Sequence, residues 1–315
     1  MNIFVTGGCG YKGSVLVPRL LAQGHSVKVF DCQWFGNHLP EHPDLTLVKG
    51  DIRHIKAIDL VGSDAVIHLA AVANDPCGEL DSKLTWETNV LATMQLAEAS
   101  VSANISQFIY ASSGSVYGIK DEEQVTEDLS LTPITDYNKT KMIAERVLLS
   151  YMNHFSLQII RPATVCGYSP RMRLDVTVNL LTSQALHHKN MTILGGSQVR
   201  PNIHIEDMAD VYLFFLNHPE FTGIYNAGFE NLSVQSIADS ISEKITGTQT
   251  IRASTDPRSY RVCSDKLLQT GFSPKKSVID AIFEIQDYFS RDMIRESKIC
   301  HNIKWMNELK AQENL

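Results

Sequence analysis

The stretch NIFVTGGCGYKG, residues 2–13, joins a short apolar run to a loop with glycines at positions 7, 10 and 13. The apolar run is typical of a buried strand, and residues 14–23 continue with helical spacing. In a strand-loop-helix unit, Gly7 permits a tight turn, Gly10 lets the backbone approach a pyrophosphate, and Gly13 lets the helix pack closely on the strand. The stretch therefore predicts a dinucleotide-binding loop.

An acidic residue stands where such a loop needs one. Asp31 ends the second predicted strand, a little over the roughly 20 residues at which an acid meets the adenosine ribose. Its carboxylate would accept hydrogen bonds from the ribose hydroxyls and repel a 2′-phosphate, and no arginine follows it in Cys32-Gln33-Trp34. We therefore expect NAD rather than NADP. Other residues at strand ends are expected beside the cofactor: Asp51 and Ile52 near the adenine, and Leu69, Ala70 and Ala71 beneath the dinucleotide.

Short β-branched runs alternate with segments of helical period, which is the pattern of a parallel sheet with crossover helices. The predicted fold class is therefore α/β, a doubly wound parallel sheet of the Rossmann type with a second, smaller α/β substrate domain. The two most regular helices are expected at about Lys83 to Ser100 and Tyr137 to Tyr151. The candidate strands are Asn2 to Val5, Ser26 to Phe30, Leu45 to Val48, Ala65 to Leu69, Phe108 to Ala111 and Leu157 to Ile160.

After Gly167 the chain becomes richer in turns, and a strand-like run at Gly223 to Gly228 is expected to return to the sheet. Further helices are expected around residues 176–187, 234–246 and 278–289. We predict an NAD-binding Rossmann domain made of residues 1–167 and 201–228, and a smaller substrate-binding domain made of residues 168–200 and 229–300. Residues 301–315 are expected to form a polar, mobile C-terminal tail, with Ile303 and Trp305 as possible anchors.

Charge, cysteine content and apolar run length argue against nucleic-acid-binding, metal-binding and membrane proteins. The 28 basic and 35 acidic residues give a net charge of −7 and form no basic stripe, so nucleic acid is not an expected partner. The six cysteines form no CxxC pair and have no histidine at metal-binding spacing, so we expect no metal and a reduced, cytoplasmic protein. No apolar run approaches the roughly 20 residues that span a bilayer, and the first residues lack signal-peptide features, so no membrane association is expected.

Tyr137 and Lys141 lie four residues apart at a predicted helix start and therefore share one face. A phenol with a pKa near 10 is a poor base at neutral pH. The Lys141 ammonium and the positive charge of a nicotinamide are both expected to lower that pKa. Tyr137 would then take a hydroxyl proton while hydride leaves the same carbon, and Ser113, from the serine-rich segment at 112–115, would bind the reacting oxygen.

These features resemble the extended short-chain dehydrogenase/reductase family, the NAD-dependent nucleotide-sugar epimerases and dehydratases. The resemblance covers roughly residues 1–290. It implies a nucleoside diphosphate sugar as substrate, NAD as cofactor, a role in polysaccharide biosynthesis, and a homodimer formed through two helices per subunit. The matching segments are TGGCGYKG at 6–13, GDI at 50–52, HLAA at 68–71, ASSGSVYG at 111–118, YNKTK at 137–141, RPATVCG at 161–167, RPNIHIEDMAD at 200–210 and DPRSYR at 256–261.

The resemblance also assigns roles to residues that the pattern alone does not single out. Arg200 and Arg258 are similar to the arginines that hold the substrate diphosphate, and Asn179 is similar to an asparagine that contacts a phosphate. Asn74 is expected near the sugar. The cofactor contacts implied in the same way, besides Tyr137 and Lys141, are Tyr11, Lys12, Asn89 and Pro162.

Positions 114 and 115 separate activities within this family. The 4,6-dehydratases carry Asp and Glu there, whereas this chain has Gly114 and Ser115. The cysteine that GDP-fucose synthases place at the position of Ser115 is also absent. Cys166 and Pro201 depart from the pattern of ordinary UDP-galactose 4-epimerases, and the stretch around residues 161–179 is most similar to a branch that includes GDP-heptose 4-dehydrogenases.

Three functions remain open at the level of sequence. The first is an NAD-dependent oxidoreductase or epimerase acting at C4 of a nucleotide-sugar through a 4-keto sugar, as a 4-epimerase or 4-dehydrogenase. The second is a 4-keto nucleotide-sugar reductase, which needs a stoichiometric supply of reduced nicotinamide. The third is a non-catalytic NAD-sensing protein on the same fold, since fold does not fix function.

Overall fold

The computed structural model describes residues 1–254 and 258–312. Its strands are β1 Asn2–Thr6, β2 Ser26–Asp31, β3 Leu45–Lys49, β4 Ala65–His68, β5 Gln107–Ala111, β6 Ser156–Pro162, β7 Thr164–Cys166, β8 Asn190–Leu194, β9 Val199–His204, β10 Gly223–Ala227, β11 Glu230–Ser233 and β12 Thr248–Arg252. Its α-helices are α1 Gly13–Ala22, α2 Ala57–Leu60, α3 Asp75–Leu80, α4 Ser82–Trp86, α5 Ala92–Ser102, α6 Asp136–Leu149, α7 Thr177–His188, α8 Ile205–Asn217, α9 Val234–Ser242, α10 Asp265–Leu268, α11 Val278–Ser290 and α12 Asn302–Ala311.

Seven strands form the central sheet in the order β10-β6-β5-β4-β1-β2-β3. Every neighbouring pair in it is parallel. The chain starts in β1, winds outward to β3, and then returns to β4 on the other side of β1. This reversal places a crevice at the carboxyl ends of β1 and β4, where doubly wound sheets bind ligands. The predicted fold class is confirmed, as is the expectation that residues 223–228 return to the sheet.

Helices cover both faces of this sheet. One apolar core joins it to α1 and α8 through residues such as Leu16, Val17 and Phe215. The other joins it to α2, α5 and α6 through residues such as Leu96 and Leu148. Strands β1, β4 and β5 read as nearly continuous apolar runs because both of their faces are buried.

The helix predicted over residues 83–100 is interrupted. A π-helical turn, Glu87–Leu91, separates α4 from α5. At this turn the buried Asn89 side chain accepts from the Val72 main-chain N–H at 2.9 Å and donates to the Val72 oxygen at 3.1 Å. The widened turn aims Asn89 at the loop that follows β4, which hydrophobic spacing does not predict.

A smaller α/β unit has its own apolar core, made by α7, α9, α11 and β8. Strand β8 pairs in parallel with β12, and β9 pairs with both β7 and β11 in a separate three-stranded sheet. The domain boundary predicted between residues 200 and 201 falls inside β9, because this strand links the two units through its neighbours on either side.

The expectation of a mobile tail from residue 301 is wrong for residues 302–311, which form α12. The Trp305 indole Nε1 donates a hydrogen bond of 2.6 Å to the Trp34 oxygen. Ile303 and Met306 join an apolar cluster with residues that follow β2 and β4. Within the described parts of the chain, no helix is both long and apolar enough to cross a bilayer.

Candidate active site

The glycine loop connects β1 to the start of α1 without room for side chains at two positions. Gly7 has φ +70, and a Cβ there would lie 2.5 Å from the Ala70 nitrogen. A Cβ at Gly13 would lie 2.4 Å from the Gly8 oxygen. The backbone therefore passes close to the loop after β4, and the first turn of α1 faces the crevice with its N–H groups, as a bound diphosphate requires.

Asp31 lies beside this loop at the end of β2. Its carboxylate accepts hydrogen bonds from the main-chain N–H groups of Cys9, at 2.9 Å, and Gln33, at 2.7 Å. Burial nevertheless raises the pKa of the Asp31 carboxyl above its ordinary value. The sequence placed this acid at a strand end, and the structure shows that it also fixes the conformation of the glycine loop.

Asp51 lies farther along the same edge of the sheet. Burial acts to raise the pKa of its carboxyl, but hydrogen bonds from Arg53 and the Arg53 charge outweigh this effect and hold it below the ordinary value. The Arg53 Nη2 atom lies 2.6 Å from the Asp51 Oδ2 atom. Asp51 therefore faces the crevice as a paired carboxylate.

The serine-rich segment after β5 meets the start of α6. The Ser113 and Ser115 hydroxyls are 2.7 Å apart, and the Ser115 hydroxyl donates to the Asn138 side-chain oxygen at 2.6 Å. Ser113 also hydrogen-bonds with the Tyr137 phenol. Three hydroxyls are thus connected at the point where the sheet crevice opens, and no carboxylate takes part in this chain of contacts.

The expected lowering of the Tyr137 pKa is wrong for this arrangement. Burial raises the pKa of the Tyr137 phenol to about 12, although the Ser113 hydrogen bond and the Arg173 charge act in the opposite direction. Burial also lowers the pKa of the Lys141 ammonium to about 7, with a further contribution from the Lys12 charge. Desolvation is the largest contribution at both groups, although Lys141 is buried and Tyr137 is half-buried on the cavity wall.

Lys141 lies behind Tyr137 and Ser113 rather than on the cavity wall. Its Nζ atom donates a hydrogen bond of 2.8 Å to the Ala111 oxygen and lies 4.8 Å from the centre of the Tyr110 ring. The lysine therefore holds α6 against the end of β5, one helical turn from Tyr137.

Two predicted arginines come together at the far side of the cavity. Arg200, from β9, donates to the main-chain oxygen of Arg258. Arg258 forms an ion pair of 2.7 Å with Asp75, whose other oxygen accepts from Thr135 at 2.7 Å. The loop that carries Arg258 is thus joined to the start of α3 and to the residue before α6.

Besides Lys141, two predicted contacts lie outside the cavity. Asn89 holds the loop after β4 and also donates to the Thr140 hydroxyl at 3.1 Å. Asn179 is fully buried: it accepts from the Gly167 N–H at 3.0 Å and donates to the Tyr11 hydroxyl at 3.0 Å. Because protein partners occupy both side chains, this arrangement does not support direct contact of either one with cofactor or substrate.

One elongated cavity of about 590 Å³ connects these groups. It runs from the glycine loop and Asp31, past Ser113 and Tyr137, to Arg200 and Arg258. Asn74 borders it, with its side chain accepting from the Cys77 N–H at 3.0 Å. The other predicted residues on its wall are Gly7, Gly10, Tyr11, Lys12, Gly13, Asp51, Ile52, Leu69, Ala70, Ala71 and Pro162.

Sequence reasoning did not assign roles to a charged group on the same wall. Arg171, Arg173 and Asp175 follow β7, and Asn302 comes from α12. The Arg173 Nε atom donates to Asp175 at 2.8 Å, and Asp175 accepts from the Asn302 N–H at 2.9 Å. The alternation of charged residues in RMRLD, 171–175, is the signal that could have identified this group.

The cavity fits a dinucleotide at one end. Gly7 and Gly13 let the loop pack directly on the backbone of Ala70 and Gly8, and Asp31 borders the same end of the cavity, where a ribose would lie. In the part of the chain that the structure describes, no three His, Cys, Asp or Glu side chains form a group that could hold a metal ion.

Comparison with known proteins agrees with this geometry. A model of the NAD dependent epimerase/dehydratase family matches residues 3–228. The UDP-glucose 4-epimerase of Lactobacillus helveticus is 27% identical over 316 residues, which cover 90% of this chain and 94% of that protein. The UDP-glucose 4-epimerase of Corynebacterium glutamicum is 28% identical over 311 residues, with 90% and 94% covered.

Solved structures give the same result. The UDP-glucuronic acid 4-epimerase of Bacillus cereus, crystallised with UDP-glucuronic acid and NAD, has a TM-score of 0.83 at 27% identity and covers 92% of this chain and 99% of that one. MoeE5, in complex with UDP-glucose and NAD, has a TM-score of 0.83 at 24% identity, with 93% and 100% covered. The chain therefore belongs to the NAD dependent epimerase/dehydratase family, whose members are NAD-dependent enzymes acting on nucleotide-sugars.

Proposed function

We propose that this enzyme inverts the configuration at C4 of the sugar ring of a nucleoside diphosphate sugar, through a transient 4-keto sugar. The observation that carries the proposal is the continuous cavity. It joins the dinucleotide end to Ser113 and Tyr137 and then to Arg200 and Arg258. A sugar held by its diphosphate at the arginines would place its ring beside the tyrosine.

Each residue has a distinct role in this proposal. Arg200 and Arg258 bind the substrate diphosphate with their guanidinium donors. The Tyr137 phenolate takes the proton of the sugar hydroxyl, and Ser113 donates a hydrogen bond to the reacting oxygen. Bound NAD supplies the hydride acceptor. Its positive charge, together with that of Lys141, opposes the effect of burial on the Tyr137 pKa.

The contacts of Ser115 support redox chemistry at C4 over loss of water. Its hydroxyl is shared between Ser113 and Asn138. A dehydratase must take a proton from a carbon beside the ketone, which needs a carboxylate or a comparable base. At this place the chain has Gly114 and Ser115, and neither side chain is a base at neutral pH.

Product analysis tests the proposal. UDP-, GDP-, CDP- and dTDP-sugars are incubated singly with the enzyme, and the C4 configuration is followed by proton NMR and the reduced nicotinamide by absorbance. We expect inversion at C4 without net reduction of NAD, and almost complete loss of turnover in Tyr137→Phe. Full turnover in that variant would contradict the mechanism.

The same incubation separates the alternatives. A 4-dehydrogenase forms one reduced nicotinamide for each sugar oxidised, and a 4-keto reductase consumes one for each sugar reduced. The geometry around Tyr137 and Ser113 serves all three reactions, because hydride transfer is reversible. The fate of the cofactor in each cycle distinguishes them.

We also propose a homodimer in a reducing cytoplasm. All six cysteines are free thiols, which supports the reducing compartment. For the dimer, Leu91 lies at the junction of the π-turn and α5 and is 50% exposed beside α6. The pair α5 and α6 therefore provides a candidate contact surface. Light scattering tests the dimer, and Leu91→Arg should shift the mass toward that of a monomer, whereas an unchanged dimer would exclude this surface.

A further inference from the structure

The C-terminal helix α12 is attached to segments on different sides of the cofactor end of the cavity. The Trp305 indole bonds to the Trp34 oxygen at 2.6 Å, in the loop that follows β2. The Asn302 N–H bonds to Asp175 at 2.9 Å. The Lys310 ammonium bonds to the Leu80 oxygen at 2.9 Å, at the end of α3. The helix therefore bridges segments that belong to separate crossovers of the sheet.

Apolar packing reinforces these attachments. Met306 is 3% exposed and packs with residues from the loops after β2 and β4. Ile303 belongs to the same cluster and also borders the cavity. The other members are Trp34, Phe35, Val72, Cys77, Leu80 and Leu84. Opening this end of the cavity requires exposure of apolar surface that the cluster now buries.

Arg171 occupies the space between this helix and the cofactor end. Its guanidinium lies 3.8 Å from the centre of the Phe35 ring, and its Nη2 atom donates to the Asn302 side-chain oxygen at 2.6 Å. The residue is 3% exposed, yet Nε and Nη1 have no hydrogen-bond partner among the described residues. Its charge acts on the carboxylate of Asp31.

Such an arrangement is unfavourable in a protein interior unless a ligand completes it. A buried donor without a partner costs free energy, and this cost is larger for a charged group. Arg173 adds a second positive charge nearby, and Asp175 balances only one of the two. Arg171 borders the same cavity as Asp31. Acceptor atoms of a dinucleotide bound there would therefore be available to the Nε and Nη1 donors of Arg171.

We propose that Arg171 binds the AMP half of NAD and that α12 closes over this half, so that the cofactor stays bound from one turnover to the next. The inference rests on the proposed function and makes it more specific. A 4-epimerase ends each cycle with its NAD unchanged and does not need to release it, whereas a dehydrogenase must exchange the cofactor every cycle. A helix fixed across the cofactor end suits the first reaction.

The test measures cofactor exchange without turnover. Enzyme loaded with radiolabelled NAD is chased with unlabelled NAD, and the label that remains bound is followed over time. We expect Trp305→Ala and Arg171→Met each to accelerate NAD dissociation about tenfold or more, because each removes a hydrogen bond that holds α12 at the cofactor end. Lys304→Ala, at an exposed position on the same helix, is the matched control and should exchange like the parent protein.

A second measurement identifies the half of the cofactor that Arg171 binds. In calorimetric titrations of the cofactor-free enzyme, Arg171→Met should weaken the binding of AMP about tenfold or more and leave the binding of nicotinamide mononucleotide unchanged. Equal weakening of both ligands, or of neither, would overturn the assignment.

A milder substitution keeps the proposal testable if Arg171→Met does not fold. Asn302→Ala removes the side-chain partner of Arg171 but keeps the main-chain hydrogen bond to Asp175. Unchanged NAD exchange in both Asn302→Ala and Arg171→Met, with parental circular dichroism, would overturn the proposal. If NAD exchange accelerates as expected but no sugar is inverted at C4, the proposed 4-epimerase function is contradicted. The proposal that Arg171 and α12 retain the cofactor would still hold.

Discussion

The ammonium of Lys141 donates a hydrogen bond of 2.8 Å to the main-chain oxygen of Ala111, the last residue of β5. This contact joins α6 to the strand that leads into Ser112 and Ser113. Tyr137 lies one helical turn before Lys141, so the same contact sets the distance between the tyrosine and the serine segment. The lysine thus has a positioning role besides its charge.

Replacement of this lysine by methionine removes both roles at once. We expect Lys141→Met to lower the turnover number about 100-fold or more, because the variant loses both the charge beside the phenol and the contact with β5. Proton NMR of the sugar product measures the rate. Lys139→Met changes an exposed lysine of the same helix and should stay close to the parent rate, and a similar rate in Lys141→Met would contradict the role.

A buried ion pair below the serine segment should dominate the stability of this region. The Arg161 Nη2 atom lies 2.7 Å from Glu145, and the two side chains are 2% and 1% exposed. We expect Glu145→Ala to lower the free energy of unfolding by about 3 to 5 kcal/mol, because it leaves a buried guanidinium without its counter-ion. Urea denaturation measures the loss.

The control for this change is a pair on the surface. Asp287→Ala breaks an exposed pair with Arg291, 2.8 Å apart, and should cost less than about 1 kcal/mol. Equal losses in the two variants would show that burial of the Arg161 and Glu145 pair does not determine its contribution.

Acid should destabilise the protein through His68. Its ring is fully buried between the hydroxyls of Thr6, at 2.7 Å, and Thr93, at 2.9 Å. Burial, helped by the Lys141 charge, lowers its pKa to about 3. Below about pH 6.5 the unfolded chain binds a proton at this histidine that the folded chain does not, so stability falls as the pH decreases from 6.5 toward 3.

The variant His68→Gln removes this linkage. Between pH 6.5 and 5 the parent should lose about 1.6 kcal/mol more of unfolding free energy than the variant. Urea denaturation at three pH values measures the difference, with His38→Gln, at an exposed position, as the control. Parallel pH dependence in parent and His68→Gln would refute the assignment.

The glycine loop should tolerate no side chain at position 13. In Gly13→Ala the new Cβ would lie 2.4 Å from the Gly8 oxygen, so the loop must move. We expect NAD affinity to fall at least about tenfold, since the diphosphate contacts depend on this backbone. Calorimetric titration with NAD measures the effect.

Gly62→Ala is the matched control for that change. Gly62 has φ +82 and nothing within 4 Å of an added Cβ, so the substitution costs only the strain of a left-handed residue, about 1 kcal/mol. NAD affinity should not change in this variant. A Gly13→Ala protein that binds NAD like the control would show that the loop adapts to a side chain.

Asn89 and Asn179 show where prediction from sequence stopped. A motif places a residue in order along the chain, and it does not show which polar group the side chain finds in the interior. Each of these side-chain amides accepts a hydrogen bond from a main-chain N–H at the edge of the site, that of Val72 for Asn89 and that of Gly167 for Asn179. Burial acts likewise on Tyr137, whose pKa depends on its surroundings rather than on its distance in sequence from Lys141.

Helix α12 shows a second limit. The sequence offered Ile303 and Trp305 as anchors, but its polar composition did not show that their partners lie in loops more than 200 residues away. Such contacts depend on the way the sheet brings those loops together. The spacing of apolar residues within one helix does not show that arrangement.

The order of apolar runs, glycines and acids along the chain determined the doubly wound sheet, the NAD site and the tyrosine-lysine pair, because strand burial and loop conformation follow from local spacing. The tertiary structure alone decided which partner each charged group finds: the Asp75 carboxylate for Arg258, the Asn302 side-chain oxygen for Arg171, and the Ala111 main-chain oxygen for Lys141. The energy of a charge depends on its burial and on partners that the fold brings from distant parts of the sequence.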